Sequence, residues 1–279
     1  MRQAFASIVP DTGRAAADEV GGGGGAASSG PPAARPLHQP AAGPPPRAGD
    51  DLGSRSYARS RARLETYFDG TARQAWERLT SDKPVSGIRA TVRAGREAMR
   101  AALLSWLPQD MTGLRLLDAG CGTGSLAVEA ALRGADVVAI DVAGGLVDIA
   151  RDRSPAGLEI DWRVGDMLDP ALGRFDHVVA MDSLIHYRAF DIVETVAALA
   201  ARTDGSLAFT FAPQTPMLKA MHLAGKLFPR GNRSPAIEPV REALLRHLIG
   251  AALPRHRIAR DRRVTTSFYM SHALELVRA

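Results

Sequence analysis

From residue 114 onward the chain alternates between short runs that are apolar at nearly every position and longer stretches whose apolar residues recur every three or four. Continuous apolar runs of this length predict strands buried on both faces, and the three-and-four spacing predicts amphipathic helices between them. Predicted strands cover residues 114–120, 136–141, 160–164, 177–182 and 206–212, and predicted helices cover 125–133, 145–151 and 192–201. Parallel strands joined by right-handed crossovers make an α/β doubly wound, mostly parallel sheet, with ligand sites at the carboxyl ends of its strands. Segments 255–266 and 271–279 read as a hairpin that finishes the sheet in antiparallel sense, for seven strands in all.

Helices come first. Leu64, Tyr67, Phe68, Ala72, Ala75, Trp76 and Leu79, interrupted by Asp69-Gly70, predict a helix, a turn and a second short helix. Val92, Met99, Leu103, Leu104 and Trp106 predict an amphipathic helix over 88–107 that stops before Pro108. After the fifth strand the alternation breaks. Met217, Leu218, Met221, Leu227 and Phe228 predict an apolar helix inserted there, followed by another over 237–249.

Residues 1–56 have a different texture, rich in Gly, Pro and Ala and including the run Gly21 to Gly25. Such a segment buries too little apolar surface to offset its ordering entropy, so a disordered tail is expected. One domain over 57–279 remains, with a helical lid at 57–110 and a substrate-side insertion at 213–250.

The charge adds less than it first suggests. Lys+Arg number 35 against 30 Asp+Glu, for a net charge of +5. In the tail Arg2, Arg14, Arg35, Arg47 and Arg55 are balanced by Asp11, Asp18, Glu19, Asp50 and Asp51, so the excess belongs to the folded part. No basic arm for a nucleic acid is present, and a small acidic ligand suits the balance better. The single cysteine, Cys121, excludes an internal disulfide framework and suits a reducing compartment. No apolar stretch is long enough to span a bilayer, and a cytoplasmic location is expected.

The most specific motif is LLDAGCGTGSLA over 116–127: a strand, an acid, then Gly120, Gly122 and Gly124 opening a helix. The glycines allow a sharp turn and close approach to a ligand, and the helix start offers free N–H groups. The third glycine comes one position too early for the nicotinamide dinucleotide fingerprint, and Asp118 stands where a pyrophosphate would be repelled. An acid there attracts a cationic amino-acid ligand instead, which points to the sulfonium and ammonium groups of S-adenosylmethionine. Asp141, ending the second strand, is placed to accept both ribose hydroxyls. Asp166 and Met167 after the third strand supply an acceptor and an apolar face for adenine, and Met181 completes the cofactor set. With strand one carrying D-x-G-x-G-x-G and an acid ending strand two, the segment 114–207 resembles the class I S-adenosylmethionine-dependent methyltransferases, whose sheet is Rossmann-like.

The segment MDSLIHY over 181–187 carries the substrate clue. It lacks the Asn/Asp-Pro-Pro-aromatic sequence usual in enzymes that methylate nucleic-acid bases. His186 stands at the ligand-facing edge, able to hydrogen-bond an oxygen acceptor. LIHY, with TYFDGTARQAWERL, FTFAPQTPML, KLFPRGNRSPAIEPV and SFYMSHALELVR, resembles the magnesium-protoporphyrin IX O-methyltransferase family of (bacterio)chlorophyll synthesis over residues 63–278. The resemblance implies methyl transfer from S-adenosylmethionine to a porphyrin propionate. It also implies His186 and Tyr67 as catalytic residues, Tyr67 as part of the lid, and an apolar wall from Met217, Leu218, Met221 and Phe228. Lys226, Arg230 and Arg233 are the cations available for the second propionate, and His222 is one candidate to touch the substrate magnesium. No protein-bound metal is expected. The implied partners are the porphyrin and the magnesium chelatase large subunit, with no nucleic acid and at most peripheral contact with the photosynthetic membrane. Two other readings stay open at this point: an O-methyltransferase of another small molecule, and a non-catalytic S-adenosylmethionine-binding scaffold for the chelatase.

Overall fold

The computed structural model describes residues 50–71, 80, 87–214 and 237–279. Six α-helices are described: α1 (Asp50–Thr66), α2 (Ile88–Trp106), α3 (Ser125–Leu132), α4 (Gly144–Arg153), α5 (Ala189–Ala200) and α6 (Glu242–Ala252). The strands are β1 (Arg115–Ala119), β2 (Asp136–Asp141), β3 (Asp161–Val164), β4 (Phe175–Ala180), β5 (Thr203–Phe211), β6 (His256–Thr265) and β7 (Met270–Arg278). They form one sheet in the order β3-β2-β1-β4-β5-β7-β6. β1 to β5 pair in parallel, whereas β7 runs antiparallel to both β5 and β6. The seven-stranded, mostly parallel sheet of the sequence reading is therefore present, terminal hairpin included.

Strand period two divides the core. Leu117, Val138, Val178 and Leu207 join α5 and α6 on one face, where Val196, Leu199, Leu245 and Ile249 meet them. Leu116, Val137, Val179 and Ala208 face α2 and α3 on the other, against Met99, Leu103, Ala127 and Ala130. Adjacent residues such as Leu116 and Leu117 thus serve opposite layers, and both are fully buried. No described helix is long and apolar enough to cross a membrane.

Three boundaries differ from expectation. α1 begins at Asp50, so residues 50–56, assigned to the tail by composition, are helical. After Thr66 the helix widens into a π turn, Tyr67–Thr71. Residues 237–241 are extended, because Pro239 disfavours helix at the residue before it and Val240 bridges Pro213. The rest of the lid, the inserted helix and Lys226, Arg230, Arg233 and His222 lie outside the described residues, as does the tail before Asp50.

Candidate active site

A cavity of about 320 Å³ opens at the carboxyl ends of β1, β2 and β4. Its floor is the glycine loop. Gly120 and Cys121 donate their N–H groups to the Ile140 carbonyl at 2.8 and 3.0 Å, which folds the loop over the end of β2. Gly120 has φ +85°, and a Cβ there would lie 2.3 Å from Ser183 Cβ, so only glycine lets the loop meet the segment after β4. Gly124, φ +80°, has the Trp162 ring in the equivalent place at 2.4 Å and caps the start of α3.

Two acids face this floor. Asp118 is 2% exposed, and its Oδ2 has no hydrogen-bond partner among the described residues. Burial, reinforced by the nearby Asp141, pushes its carboxyl up to about 7. Asp141 accepts from Gly122 N at 2.9 Å through Oδ2 and from Ala143 N at 2.9 Å through Oδ1. Burial raises its carboxyl as well, with those two hydrogen bonds opposing the shift. Each of its oxygens keeps a second acceptor site for a ligand hydroxyl. A buried acid with one unpartnered oxygen and a doubly anchored acid beside it fit a ligand with a cationic amino-acid end and a diol.

Of the other expected residues, Gly122, Met167, Met181 and His186 line the cavity along with Gly120, Asp118 and Asp141, while Gly124 shapes the loop behind it. Asp166 is engaged by protein donors. Its carboxylate receives Tyr57 Oη at 2.6 Å, Arg61 Nη1 at 2.7 Å and Leu168 N at 2.9 Å, so it anchors α1 and caps its own turn, and only its neighbours Gly165 and Met167 reach the cavity wall. Tyr67 stands one residue from the wall. The π turn brings Phe68 to the wall, where its ring meets His186 edge-on at 6.2 Å, and Tyr67 packs against Phe68 at 5.1 Å from outside the lining.

The lid is fastened at several points. Tyr57 stacks on the buried Tyr187 at 5.1 Å, Ser56 Oγ donates to Asp191 at 2.9 Å, and Asp69 accepts from Gly145 N at 2.8 Å at the start of α4. Burial, first among the causes, raises the Tyr57 and Tyr187 hydroxyls far above their usual range, so both stay protonated. Sequence reasoning missed the wall supplied by α2. Arg93, Arg96 and Arg100 line the cavity at helical spacing. Their pattern was visible in the sequence as an i, i+3, i+7 arginine stripe, but nothing local said which way it faced. Cys121 also borders the cavity, and burial pushes its thiol well up, so it stays protonated.

Elsewhere, Glu242, Asp261 and His272 bring ligand-type atoms within 4.8 Å of one another. The imidazole Nδ1 faces Glu242 at 3.3 Å while Nε2 faces Asp261 at 3.9 Å, so its nitrogens diverge, and the Arg246 guanidinium pairs with both carboxylates. That group is a charge network whose cation is already an arginine.

Comparison with known proteins follows the same lines. Residues 180–278 match the model of the magnesium-protoporphyrin IX methyltransferase C-terminus, and residues 116–203 match a methyltransferase domain. The chain is 52% identical over 223 residues to the magnesium-protoporphyrin O-methyltransferase of Rhodobacter capsulatus, an alignment covering 78% of this chain and 97% of that one. It is 31% identical to the Synechocystis enzyme of the same name over 77% of this chain and 95% of that one. A crystal structure of the Synechocystis PCC 6803 magnesium protoporphyrin IX methyltransferase with S-adenosylhomocysteine bound superposes with a TM-score of 0.71 at 29% identity, covering 79% of this chain and all of that one. From the glycine loop to the terminal strand, the chain belongs to the magnesium-protoporphyrin O-methyltransferase family.

Proposed function

We propose that this chain transfers a methyl group from S-adenosylmethionine to a propionate carboxylate of magnesium protoporphyrin IX, giving the monomethyl ester. The observation that carries this reading is the 52% identity to the Rhodobacter capsulatus enzyme across nearly its whole length. The cavity supports it, because the partnerless Asp118 Oδ2 fits the ammonium end of the methyl donor and Asp141 fits its ribose. When bound, S-adenosylmethionine supplies an electrophilic methyl carbon on a sulfonium, and the carboxylate oxygen bonds to that carbon as the carbon–sulfur bond breaks.

The chain's own task is alignment. A propionate is already ionised at neutral pH, its pKa being roughly 4 to 5, so a strong base adds little. His186 orients the carboxylate by hydrogen bonding. Phe68, Leu64 and Ile185 exclude water from its surroundings, which strengthens every electrostatic contact in the cavity. Arg93 on the α2 wall attracts the acidic substrate. Phe68 takes the water-excluding part expected of Tyr67, which backs it as the second catalytic candidate. Delivery of the poorly soluble macrocycle by the magnesium chelatase large subunit, at the edge of the photosynthetic membrane, belongs to the same reading.

The direct test incubates the purified protein with S-adenosylmethionine and magnesium protoporphyrin IX and looks for monomethyl ester by chromatography and mass. Binding of both ligands without ester would sink the enzyme reading and leave the scaffold.

The raised Asp118 carboxyl makes a separate prediction. Folded chain holds this proton between pH 3.8 and about 7 where unfolded chain has lost it, so its ionisation removes stability as pH rises through that window. A cationic ligand reverses the preference and expels the proton. Affinity for S-adenosylmethionine should therefore fall about fifteenfold from pH 7 to pH 5.5, with close to one proton released per ligand at the lower pH. Calorimetry in buffers of different ionisation enthalpy measures both, and an unchanged pH slope in Asp118→Asn would assign the proton elsewhere.

A further inference from the structure

Among the described residues Asp182 is the one non-glycine with a positive φ, 52°. A side chain in that region persists when its surroundings over-determine it, and such positions gather at functional sites. The surroundings here are specific. The Asp182 main-chain N–H donates to Thr210 Oγ1 at 2.7 Å. Its side chain, 4% exposed, receives Arg96 Nη1 at 2.7 Å, Tyr269 Oη at 3.0 and 3.1 Å, and Ser271 Oγ at 3.2 Å. These donors come from α2, from the turn before β7 and from β7 itself. Gly95, beside Arg96, lies so close to the Tyr269 ring that a Cβ would come within 2.4 Å of it, so α2 is pressed against the terminal hairpin where they meet Asp182.

The segment that Asp182 opens is the one that carries His186. Ser183 occupies the space against Gly120, Glu238 N donates to the Ile185 carbonyl at 2.9 Å, and the turn Leu184–His186 delivers the imidazole to the cavity. Asp182 also lines that cavity, with Arg96 neutralising a charge that would otherwise repel an anionic acceptor.

We propose that Asp182 is a positioning residue for methyl transfer: its left-handed backbone turns the chain out of β4, and its tethered carboxylate fixes that turn so that His186 faces the acceptor. The proposal rests on the methyl-transfer reading, which the wild-type ester assay tests by itself. Two variants separate backbone from side chain. Asp182→Gly keeps the φ freely and removes every side-chain tether, whereas Asp182→Asn keeps the φ and an acceptor oxygen but loses the charge. Asp182→Gly is expected to lower kcat about 100-fold while the Kd for S-adenosylmethionine stays within about threefold, and Asp182→Asn to lose only about tenfold in kcat. Independently of turnover, the His186 ring-proton NMR resonance, assigned by its disappearance in His186→Gln, should shift and broaden in Asp182→Gly and stay near its wild-type position in Asp182→Asn. Should the glycine variant fail to fold, Tyr269→Phe, which removes one tether, is expected to move the same resonance. Wild-type kcat and an undisturbed His186 resonance in these variants would overturn the proposal, as would a loss confined to thermal stability.

Discussion

Adding one methyl group at Gly120 is expected to cost the chain most of its affinity for S-adenosylmethionine. The new Cβ would lie 2.3 Å from Ser183 Cβ, on a residue whose φ of +85° already disfavours any side chain. A left-handed alanine costs roughly 1–2 kcal/mol and an overpacked contact roughly 1–3 kcal/mol more, which together correspond to about a 100-fold change in an equilibrium. Neither neighbour can absorb the clash quietly. Gly120 is tied to Ile140 through its N–H, and Ser183 follows the tethered Asp182, so relief requires the cofactor loop and the acceptor loop to part. Calorimetry on Gly120→Ala should show a Kd raised about 100-fold. Gly113→Ala is the control: it has φ +77° with nothing within 4 Å of the added atom, and should lose some stability with cofactor affinity unchanged. Wild-type binding by Gly120→Ala would mean that the interlock of the two loops has no part in holding the cofactor.

The second large effect separates two residues of the cavity, one ending β2 and one in the turn after β4. His186→Ala should lower kcat by about 100-fold with cofactor Kd within about threefold, because it loses orientation of the acceptor alone. Asp141→Ala should do the opposite. It deletes the acceptor for a ribose diol and also the anchor of Gly122 N and Ala143 N, and two charge-assisted hydrogen bonds at roughly 1.5–3 kcal/mol each imply a Kd raised about 100-fold or more. At saturating cofactor its kcat should remain near wild type. The reverse pattern would exchange the roles given to the two residues.

Much of this architecture was legible in the sequence because its signals are local. β1, the glycines and the acid ending β2 lie within one stretch of chain, and continuous apolar runs predicted the strands. What was missed depends on distant partners. Asp166 reads as an adenine acceptor until Tyr57, 109 residues earlier, and Arg61, 105 residues earlier, are seen to hold it. Asp182 is bound to Arg96, 86 residues before it, and to Ser271, 89 residues after it, and no spacing rule connects these. Phe68 was missed beside Tyr67 for a different reason. Regular helical spacing does not foresee the π turn that rotates Phe68 onto the cavity. The early start of α1 carried a weak signal in Asp50 and Asp51, hidden by the glycine-rich composition around them.

The placement of β7 between β5 and β6 bears on how the protein is made. During synthesis the glycine loop, Asp141 and the five parallel strands all leave the ribosome before Tyr269 and Ser271 do. A nascent chain can thus assemble the floor that receives the methyl donor while its sheet still has an open edge at β5 and Asp182 lacks two of its tethers. Only when the final strand pairs with β5, bringing β6 with it, and buries Ala273, Leu274 and Leu276 are those tethers in place. The tethers of the acceptor segment are therefore among the last contacts of the site that the growing chain can complete.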